Sequence, residues 1–239
     1  MSKEQHTRTI LLVGEEKFNK LQNSHILIVG LGGVGGYAAE QLARAGIGEL
    51  TIIDADVVNK SNLNRQIIAL NSTIGKDKID VVSKRLKGIN SEIKINTFKT
   101  FISEENINDA IKPQQFDYVI DAIDTLMPKV ELIKTSLMNN IPIVSSMGAG
   151  GRIDVEKVHI SDIEDTYNCG LARMLRKRLH KIGIRTGFKA VFSSEKVNKE
   201  AIIEETSRNK ITNIGTISYM PGIFGMFCAS VVLRALIED

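Results

Sequence analysis

The chain has 239 residues, of which 43% are hydrophobic and 25% are charged, and its formal net charge is +3. This length fits one large α/β domain with a substantial buried core, and so modest a charge does not by itself indicate nucleic-acid binding. The two cysteines, Cys169 and Cys228, form no Cys-x-x-Cys pair, so a four-cysteine zinc site is excluded and no disulfide framework is indicated.

Residues 1–24 are predicted to form an N-terminal arm and a short helix. Met1–Thr9 is polar and has no apolar signal-peptide core, so we expect a cytoplasmic, reducing location. Arg8 lies in this arm. Glu15–Leu21 is predicted to be helical and to lead into the first strand.

The segment His25–Asp56 has the pattern strand, glycine turn, helix, strand, acid. Two apolar runs, at 26–29 and 50–53, flank a glycine turn and a helix predicted at Tyr37–Ala45. The N-terminus of such a helix offers unpaired N–H groups to an anion. Asp54 follows the second run, where an acid would accept hydrogen bonds from a ribose.

The glycine turn itself has the G-x-G-x-x-G spacing at Gly30, Gly32 and Gly35. The first glycine permits a tight turn, the second lets a phosphate approach the backbone, and the third lets the helix pack closely on the strand. With its strand, helix and acid in place, the motif predicts nucleotide binding. The alternative is a tight structural βαβ turn.

Strands and helices continue to alternate as far as residue 160, with Ser61 as a predicted helix N-cap. The predicted helices are Gly75–Asn90, Ser103–Ile111 and Leu126–Asn139, and the predicted strands are Ile93–Phe98, Asp117–Asp121, Ile141–Val144 and Val155–Ile160. This alternation predicts an α/β fold with a doubly wound, mainly parallel, Rossmann-like sheet whose ligands bind at the carboxyl ends of the strands. Four acids that follow strands are expected on that side: Asp54, Asp56, Asp121 and Asp124.

Residues 161–239 depart from this alternation and are predicted to extend the 25–160 nucleotide-binding core on its substrate side, within a single domain of residues 1–239. The predicted elements are an amphipathic basic helix at Leu171–Lys181, a strand at Lys189–Ser193, a polar loop or edge excursion at Glu195–Asn213 and an apolar helix at Gly222–Ile237. The last helix is shorter than the ~20 residues of a membrane span and contains Arg234. A buried core helix is therefore expected rather than membrane insertion, with peripheral membrane contact as the alternative.

The glycine motif alone does not distinguish NAD from ATP, but three later residues bear on the choice. Arg65 and Lys78 are cations that could stabilise charge on a leaving pyrophosphate. Asp124 could hold Mg²⁺ together with phosphate oxygens and water. The residues taken alone leave open the alternative of a solvated arginine and lysine and an aspartate that caps a helix.

Five ordered motifs resemble the ubiquitin-activating-enzyme-like superfamily, which includes the adenylyltransferases of molybdopterin and thiamine synthesis. They are Gly30–Gly35, Asp54–Asp56, Ser61–Gln66, Gly75–Lys78 and Asp121–Asp124. The resemblance implies an enzyme that uses ATP and Mg²⁺ to adenylate a carboxylate, releases pyrophosphate and acts as a homodimer.

Carried onto this sequence, the resemblance implies a role for each matching residue. Arg65, Lys78 and Asp124 are the expected catalytic residues, with Asp124 as the magnesium ligand, and Asp54 holds the ribose. Arg8 matches an arginine that reaches the ATP of the partner subunit. The residues expected to contact ATP are Gly30, Gly32, Gly33, Gly35, Asp54, Asn62, Arg65, Lys78 and Arg8.

Nearly the whole chain is most similar to one family within that superfamily, the tRNA threonylcarbamoyladenosine dehydratases. The matching residues include Arg8–Phe18, Pro128–Lys129, Gly148–Gly151, Val191–Ser193 and Phe224–Gly225. The resemblance implies ATP-dependent adenylation of the threonylcarbamoyl carboxylate, after which the carbamoyl group attacks the activated carbonyl and expels AMP. The segment 183–213 is shorter and differently composed than in better-known members of that family.

Three other functions remain open at this point. One is an adenylyltransferase that activates the C-terminal glycine of a ubiquitin-like sulfur carrier, although the chain lacks paired Cys-x-x-Cys motifs. Another is a nicotinamide-dependent oxidoreductase, for which Arg65, Lys78 and Asp124 would be coincidences. The third is a non-catalytic nucleotide-sensing scaffold.

The remaining candidates each have two interpretations. The basic cluster Arg173, Arg176, Lys177 and Arg178 either contacts tRNA phosphates, which would make binding salt-dependent, or is a solvated helix face. Cys169 is expected to be an ordinary small residue before a helix rather than an activated thiol, and Cys228 a core residue. Gly148–Gly151 either admits substrate or is a simple turn. A sulfur-relay or recycling protein partner is also expected from the resemblance.

Overall fold

The computed structural model describes residues 3–111, 116–207 and 210–238. Its helices are α1 (Thr7–Val13), α2 (Glu15–Asn23), α3 (Gly35–Ala45), α4 (Lys78–Ile89), α5 (Ile107–Ile111), α6 (Leu126–Met138), α7 (Gly170–His180) and α8 (Met220–Glu238). Its strands are β1 (His25–Val29), β2 (Glu49–Ile53), β3 (Lys94–Phe98), β4 (Tyr118–Asp121), β5 (Ile143–Ser146), β6 (Val158–Asp162), β7 (Lys189–Ser193), β8 (Ile202–Ser207) and β9 (Lys210–Ile214).

Seven of these strands form one sheet in the order β3-β2-β1-β4-β5-β7-β6. Neighbouring strands pair in parallel except β6, which runs antiparallel to β7. The chain moves outward from β1 to β3 and then returns to place β4 on the other side of β1. This reversal of direction is the switch point where α/β sheets bind ligands, at the carboxyl ends of the strands.

Apolar side chains fill both faces of the sheet. On one face, residues of α3, α4 and α8 form a core with β1 and β2, and on the other, residues of α5, α6 and α7 do so. Strands β1, β2, β4 and β5 are buried from both sides, which is why they read as continuous apolar runs rather than alternating patterns.

Helix α8 is long and apolar enough to cross a membrane by length and composition. However, 56% of its most apolar window is buried inside the structure, and it packs on α2, α3 and the strands β4, β5 and β7. A core helix of a soluble fold meets the same composition test, so the burial favours the predicted core helix.

The predicted fold class is confirmed, and several element bounds differ for local reasons. Helix α4 begins at Lys78, not Gly75, because Gly75 has a left-handed φ of 82° that cannot continue a right-handed helix. The residue before the short 3₁₀ turn at Lys60–Asn62 is Asn59, so Ser61 is not an N-cap. Val155–Lys157, predicted to begin a strand, is also a 3₁₀ turn, in which the Asp154 side chain accepts from the N–H of Glu156.

The structure adds detail at three other places: the N-terminal segment, the segment Glu195–Asn213 and the boundary expected after residue 160. The predicted N-terminal arm is a 3₁₀ turn followed by α1. Within Glu195–Asn213, where a loop or edge excursion was expected, β8 and β9 pair as an antiparallel hairpin outside the main sheet. The predicted subdivision after residue 160 falls inside β6, which pairs with β7 in the main sheet.

Candidate nucleotide site

The glycine turn between β1 and α3 is packed against the end of β4. Gly30 has a φ of 90°, and a Cβ atom there would lie 2.7 Å from the carbonyl oxygen of Ala122. A Cβ atom at Gly35 would lie 1.8 Å from the carbonyl oxygen of Gly30. At Gly32 the nearest atom would be the Gln66 side-chain nitrogen at 3.7 Å. The first and third glycines are therefore sterically required, while the second leaves open the backbone face that a phosphate would need.

Asp54 follows β2 and lies against this turn. Its Oδ2 accepts a hydrogen bond from the N–H of Leu31 at 2.6 Å, and its Oδ1 accepts from the N–H of Asp56 at 2.8 Å. Burial raises the pKa of the Asp54 carboxyl above its ordinary value, although Lys78 and the two N–H donors oppose that rise. The structure thus orients Asp54 toward the glycine turn, at the cost of a partly desolvated carboxylate.

Lys78 lies between two carboxylates at the first turn of α4. Its ammonium group is 2.8 Å from Oδ2 of Asp56 and 3.9 Å from Oδ1 of Asp54. The Lys78 side chain is buried, whereas that of Asp56 is 68% exposed. The backbone N–H of Lys78 also donates to the carbonyl of Asp56 at 3.0 Å. The ammonium is thereby held beside Asp54, and its solvent-facing partner Asp56 is one that a phosphate could replace.

The segment that carries Asn62 and Arg65 borders the other side of the turn. Asn62 is buried and its Oδ1 accepts from the N–H of Asn59 at 3.0 Å. The guanidinium of Arg65 donates to the carbonyl of Ser61 at 2.8 Å and to Oδ1 of Asn64 at 2.9 Å. A Cβ atom at Gly33 would lie 3.4 Å from the carbonyl oxygen of Arg65, so this segment and the turn are in contact.

Gln66 is a site residue to which sequence reasoning gave no role. It is buried, lies beside Gly32, and its side-chain carbonyl oxygen has no hydrogen-bond partner among the described residues. A buried carbonyl without a partner is costly. The only signal in the sequence was its place at the end of the Ser61–Gln66 motif.

Asp124 is exposed in the turn between β4 and α6, and Ala122 of the same turn abuts Gly30 and Gly35. Within residues 3–111, 116–207 and 210–238, no group of three or more His, Cys, Asp or Glu side chains could hold a metal ion. Mg²⁺ in phosphoryl-transfer sites is commonly bound by one or two carboxylates together with substrate phosphates and waters. A single exposed carboxylate beside the glycine turn fits that donor set.

Arg8 lies far from this site within its own chain. The ring of its neighbour His6 contacts Phe18, and the side chain of Gln5 donates to the carbonyl of Ile89 at the end of α4. Gly46, just after the end of α3, is next to His6. These contacts belong to the edge opposite the carboxyl ends of the strands. Helix α3 alone separates the two edges by about 16 Å, at 1.5 Å per residue.

The cations of the basic helix α7 fall into two groups, one hydrogen-bonded to the fold and the other exposed to solvent. The guanidinium of Arg176 donates to the carbonyl oxygen of Thr166 at 2.8 Å and also to its hydroxyl, so this residue braces the preceding loop. Arg173, Lys177 and Arg178 are exposed. Cys169, directly before α7, is buried in the apolar core.

The Gly148–Gly151 run is packed against the protein. Arg152 donates to the carbonyls of Gly148 and Gly150, and a Cβ atom at Gly151 would lie 2.5 Å from Val197. These contacts favour a structural turn over an open substrate entry.

Comparisons with known proteins bear on the whole chain. The ThiF family model matches residues 6–239. A tRNA threonylcarbamoyladenosine dehydratase of Bacillus subtilis (strain 168) is 35% identical over 246 aligned residues, covering 98% of this chain and 95% of that protein. The crystal structure of Escherichia coli tRNA N6-threonylcarbamoyladenosine dehydratase, TcdA, in complex with ATP matches with a TM-score of 0.90 at 33% identity, covering 99% of this chain and 95% of that chain.

A more distant relative belongs to the sulfur-carrier class. The sulfur carrier protein ThiS adenylyltransferase of Escherichia coli (strain K12) is 34% identical over 154 residues, which cover 63% of this chain and 61% of that protein. The similarity to the dehydratases therefore extends over much more of the chain.

Proposed function

This chain belongs to the ThiF family, and on that premise we propose that it catalyses the ATP-dependent dehydration of threonylcarbamoyladenosine in tRNA. The observation that carries this proposal is the match over 99% of the chain to an ATP-bound dehydratase. The sulfur-carrier adenylyltransferase matches only 63% of the chain.

The proposed reaction has two steps. A carboxylate oxygen of the threonylcarbamoyl group attacks the α-phosphorus of ATP, the bond to the leaving pyrophosphate breaks, and an acyl adenylate forms. The carbamoyl group then attacks the activated carbonyl and expels AMP, so the oxygen formally lost as water leaves on AMP. Activation and ring closure replace one difficult expulsion of hydroxide by two easier steps.

Each proposed site residue has a physical task in these steps. Gly30, Gly32, Gly33 and Gly35 form the turn that receives the phosphates, with Asn62 beside it, and Asp54 accepts from the ribose hydroxyls. Arg65 and Lys78 stabilise charge that develops on the leaving pyrophosphate. Asp124 would hold Mg²⁺, which when bound neutralises phosphate charge.

We further propose that the enzyme is a homodimer in which Arg8 reaches the ATP of the partner subunit. The exposed position of Arg8, at the edge opposite its own glycine turn, supports an action across subunits. The exposed cations of α7 are proposed to contact tRNA phosphates. A cytoplasmic location remains an expectation from the polar N-terminal segment, and a relay or recycling protein partner remains one from the resemblance.

The experiment that tests the function uses the purified protein with ATP, Mg²⁺ and tRNA that carries threonylcarbamoyladenosine. We expect AMP and pyrophosphate to form and the modified nucleoside to lose the mass of one water. With a heavy-oxygen label in the threonylcarbamoyl carboxylate, the label should appear in AMP. An unchanged nucleoside together with adenylation of a sulfur-carrier protein would contradict the proposal and select the second function.

A further inference from the structure

Directly behind the Asp124 turn lies an ion pair that is fully removed from solvent. Asp121, the last residue of β4, and Lys129, in the second turn of α6, are both 0% exposed, with Nζ of Lys129 2.6 Å from Oδ2 of Asp121. The ammonium also donates to Oγ of Ser145 at 3.1 Å and to the carbonyl of Ser146 at 2.9 Å. Its three N–H bonds therefore all have acceptors.

The second oxygen of Asp121 holds the backbone of the turn. Its Oδ1 accepts from the N–H of Ile123 at 3.1 Å, one residue before Asp124. Ala122, between them, donates its N–H to the carbonyl of Val29 at 2.9 Å, and its carbonyl lies against Gly30. The carboxylate of Asp121 thus connects the buried ion pair to the turn that borders the nucleotide site.

The ion pair also joins two neighbouring loops. Ser145 and Ser146 end β5, and the hydroxyl of Ser145 donates to Oδ2 of Asp121 at 2.6 Å. Through Lys129, the turn after β4 is therefore tied to the strand that leads into the Gly148–Gly151 turn. Both loops leave the carboxyl edge of the sheet.

Stability alone is a weak reason for such a pair. Removing two charges from water costs several kcal/mol per ion, and apolar residues of similar volume are often as stable or more so. A fully satisfied network, in contrast, fixes geometry, because each partner has only one arrangement that fills all its hydrogen bonds.

We propose that Asp121 and Lys129 are positioning residues for the adenylation step, acting through the Asp121–Ile123 hydrogen bond to set the place of the Asp124 carboxylate. The inference rests on the proposed function and deepens it, because it assigns to buried residues the orientation of the exposed site acid. Partners that orient a metal-binding carboxylate commonly change activity by about tenfold to a hundredfold when they are lost.

Two double substitutions separate positioning from charge. D121L/K129M removes both charges and also the acceptor for the N–H of Ile123. D121N/K129M removes the same charges but keeps a side-chain carbonyl that can accept from Ile123. We expect kcat for AMP formation to fall by about tenfold to a hundredfold in the first variant and by less than about threefold in the second. Equal losses in the two variants would overturn the proposal.

Because neither variant leaves an unpaired buried charge, both are expected to fold, as thermal melting would verify. Ser145→Ala, which removes only the hydroxyl bonded to Asp121, is the milder second variant and should change kcat in the same direction. Hydrogen exchange of the amides of residues 122–125 should be faster in D121L/K129M than in D121N/K129M. The control is E131L/K134M, which removes another ion pair of α6 with an N–O distance of 3.1 Å and should leave kcat and these exchange rates unchanged.

A double-mutant cycle with Asp124→Ala identifies the residue through which the pair acts. In the Asp124→Ala background, D121L/K129M should produce no further loss of kcat, because the group it positions is already absent. Independent, multiplicative losses would show that the pair has only a structural role. If the wild type itself forms no AMP with modified tRNA, the proposed function fails instead, and full activity of Asp124→Ala refutes both the role of Asp124 and the positioning.

Discussion

Asp54 is held at the site in an environment that opposes its ionisation, and this conflict can be measured. Burial raises the pKa of its carboxyl above the ordinary value of 3.8. Between the ordinary pKa of the unfolded chain and the raised pKa of the folded protein, the folded protein binds more protons than the unfolded chain. The free energy of unfolding therefore falls as pH rises through that window. A neutral residue at this position would avoid that loss at neutral pH.

Asn can accept only one of the two backbone hydrogen bonds that Asp54 accepts, so the informative quantity is the pH dependence. We expect the free energy of unfolding of the wild type to rise relative to that of Asp54→Asn as pH falls through the raised pKa of Asp54. The same variant should bind ATP about tenfold or more weakly, since a hydrogen bond to a charged group contributes about 1.5–3 kcal/mol. Denaturant unfolding at several pH values and calorimetric titration with ATP measure the two effects.

The matched control for Asp54 is Asp56→Asn, which alters a carboxylate whose side chain is 68% exposed. Asp56 is not among the residues proposed to contact ATP, so this variant should lower ATP affinity less than Asp54→Asn does. A difference in stability between the wild type and Asp54→Asn that is independent of pH would contradict the expectation.

At the scale of elements, α7 presents its exposed cations on the sheet face opposite α4. The hydrogen bonds from Arg176 to Thr166 tie that residue to the fold, so substitutions that test tRNA contact belong at Lys177 and Arg178. We expect K177E/R178E to weaken tRNA binding by about tenfold at moderate salt and to lessen its salt dependence, because phosphate contacts release counterions. Filter binding across a salt series measures both quantities.

A charge-matched control distinguishes local contact from overall charge. K84E/K87E reverses two exposed lysines of α4, on the other side of the sheet, and should leave tRNA affinity nearly unchanged. ATP affinity should be the same in both variants. Equal weakening by the two double reversals would show that net charge, not the surface of α7, governs tRNA binding.

The elements that sequence could predict are those whose burial leaves a periodic or continuous apolar pattern. Strands β1, β2, β4 and β5 read as apolar runs because helices cover both faces of the sheet. The β8–β9 hairpin lies outside that sheet, and its polar segment showed no alternation from which pairing could be inferred. Strand propensity depends strongly on tertiary context, so a polar hairpin outside the main sheet leaves only a weak local signal.

The roles of the site residues differ in the same way, since some could be predicted from the sequence and others could not. The steric need for glycine at 30 and 35 follows from backbone geometry and was predictable from spacing. The unpaired side-chain oxygen of Gln66 and the anchoring of Arg176 by Thr166 depend on where other segments pass. Such roles become visible only when the chain is folded, because they belong to pairs of residues and not to single positions.

For the whole molecule, α1 is the feature that a single chain does not explain. It has seven residues, none of them buried, and Leu11 and Leu12 are 80% and 85% exposed. An isolated helix of this length is not stable in water, and exposed adjacent leucines indicate a contact surface. A second copy of the chain that covers α1 would account for both facts and would carry Arg8 toward another site.

This arrangement predicts complementation between two inactive variants. In a mixed dimer of Arg8→Ala and Lys78→Ala subunits, one site combines the intact Lys78 of the first with the intact Arg8 of the second. Co-expressed subunits should therefore recover about a quarter of wild-type activity, since about half of randomly formed symmetric dimers are mixed and each has one complete site. A mixture of Lys78→Ala and Asp124→Ala subunits is the control and should stay inactive, because both of its sites lack a residue of their own chain. Inactivity of the first mixture, despite mixed dimers detected by mass spectrometry, would place Arg8 outside the partner's site.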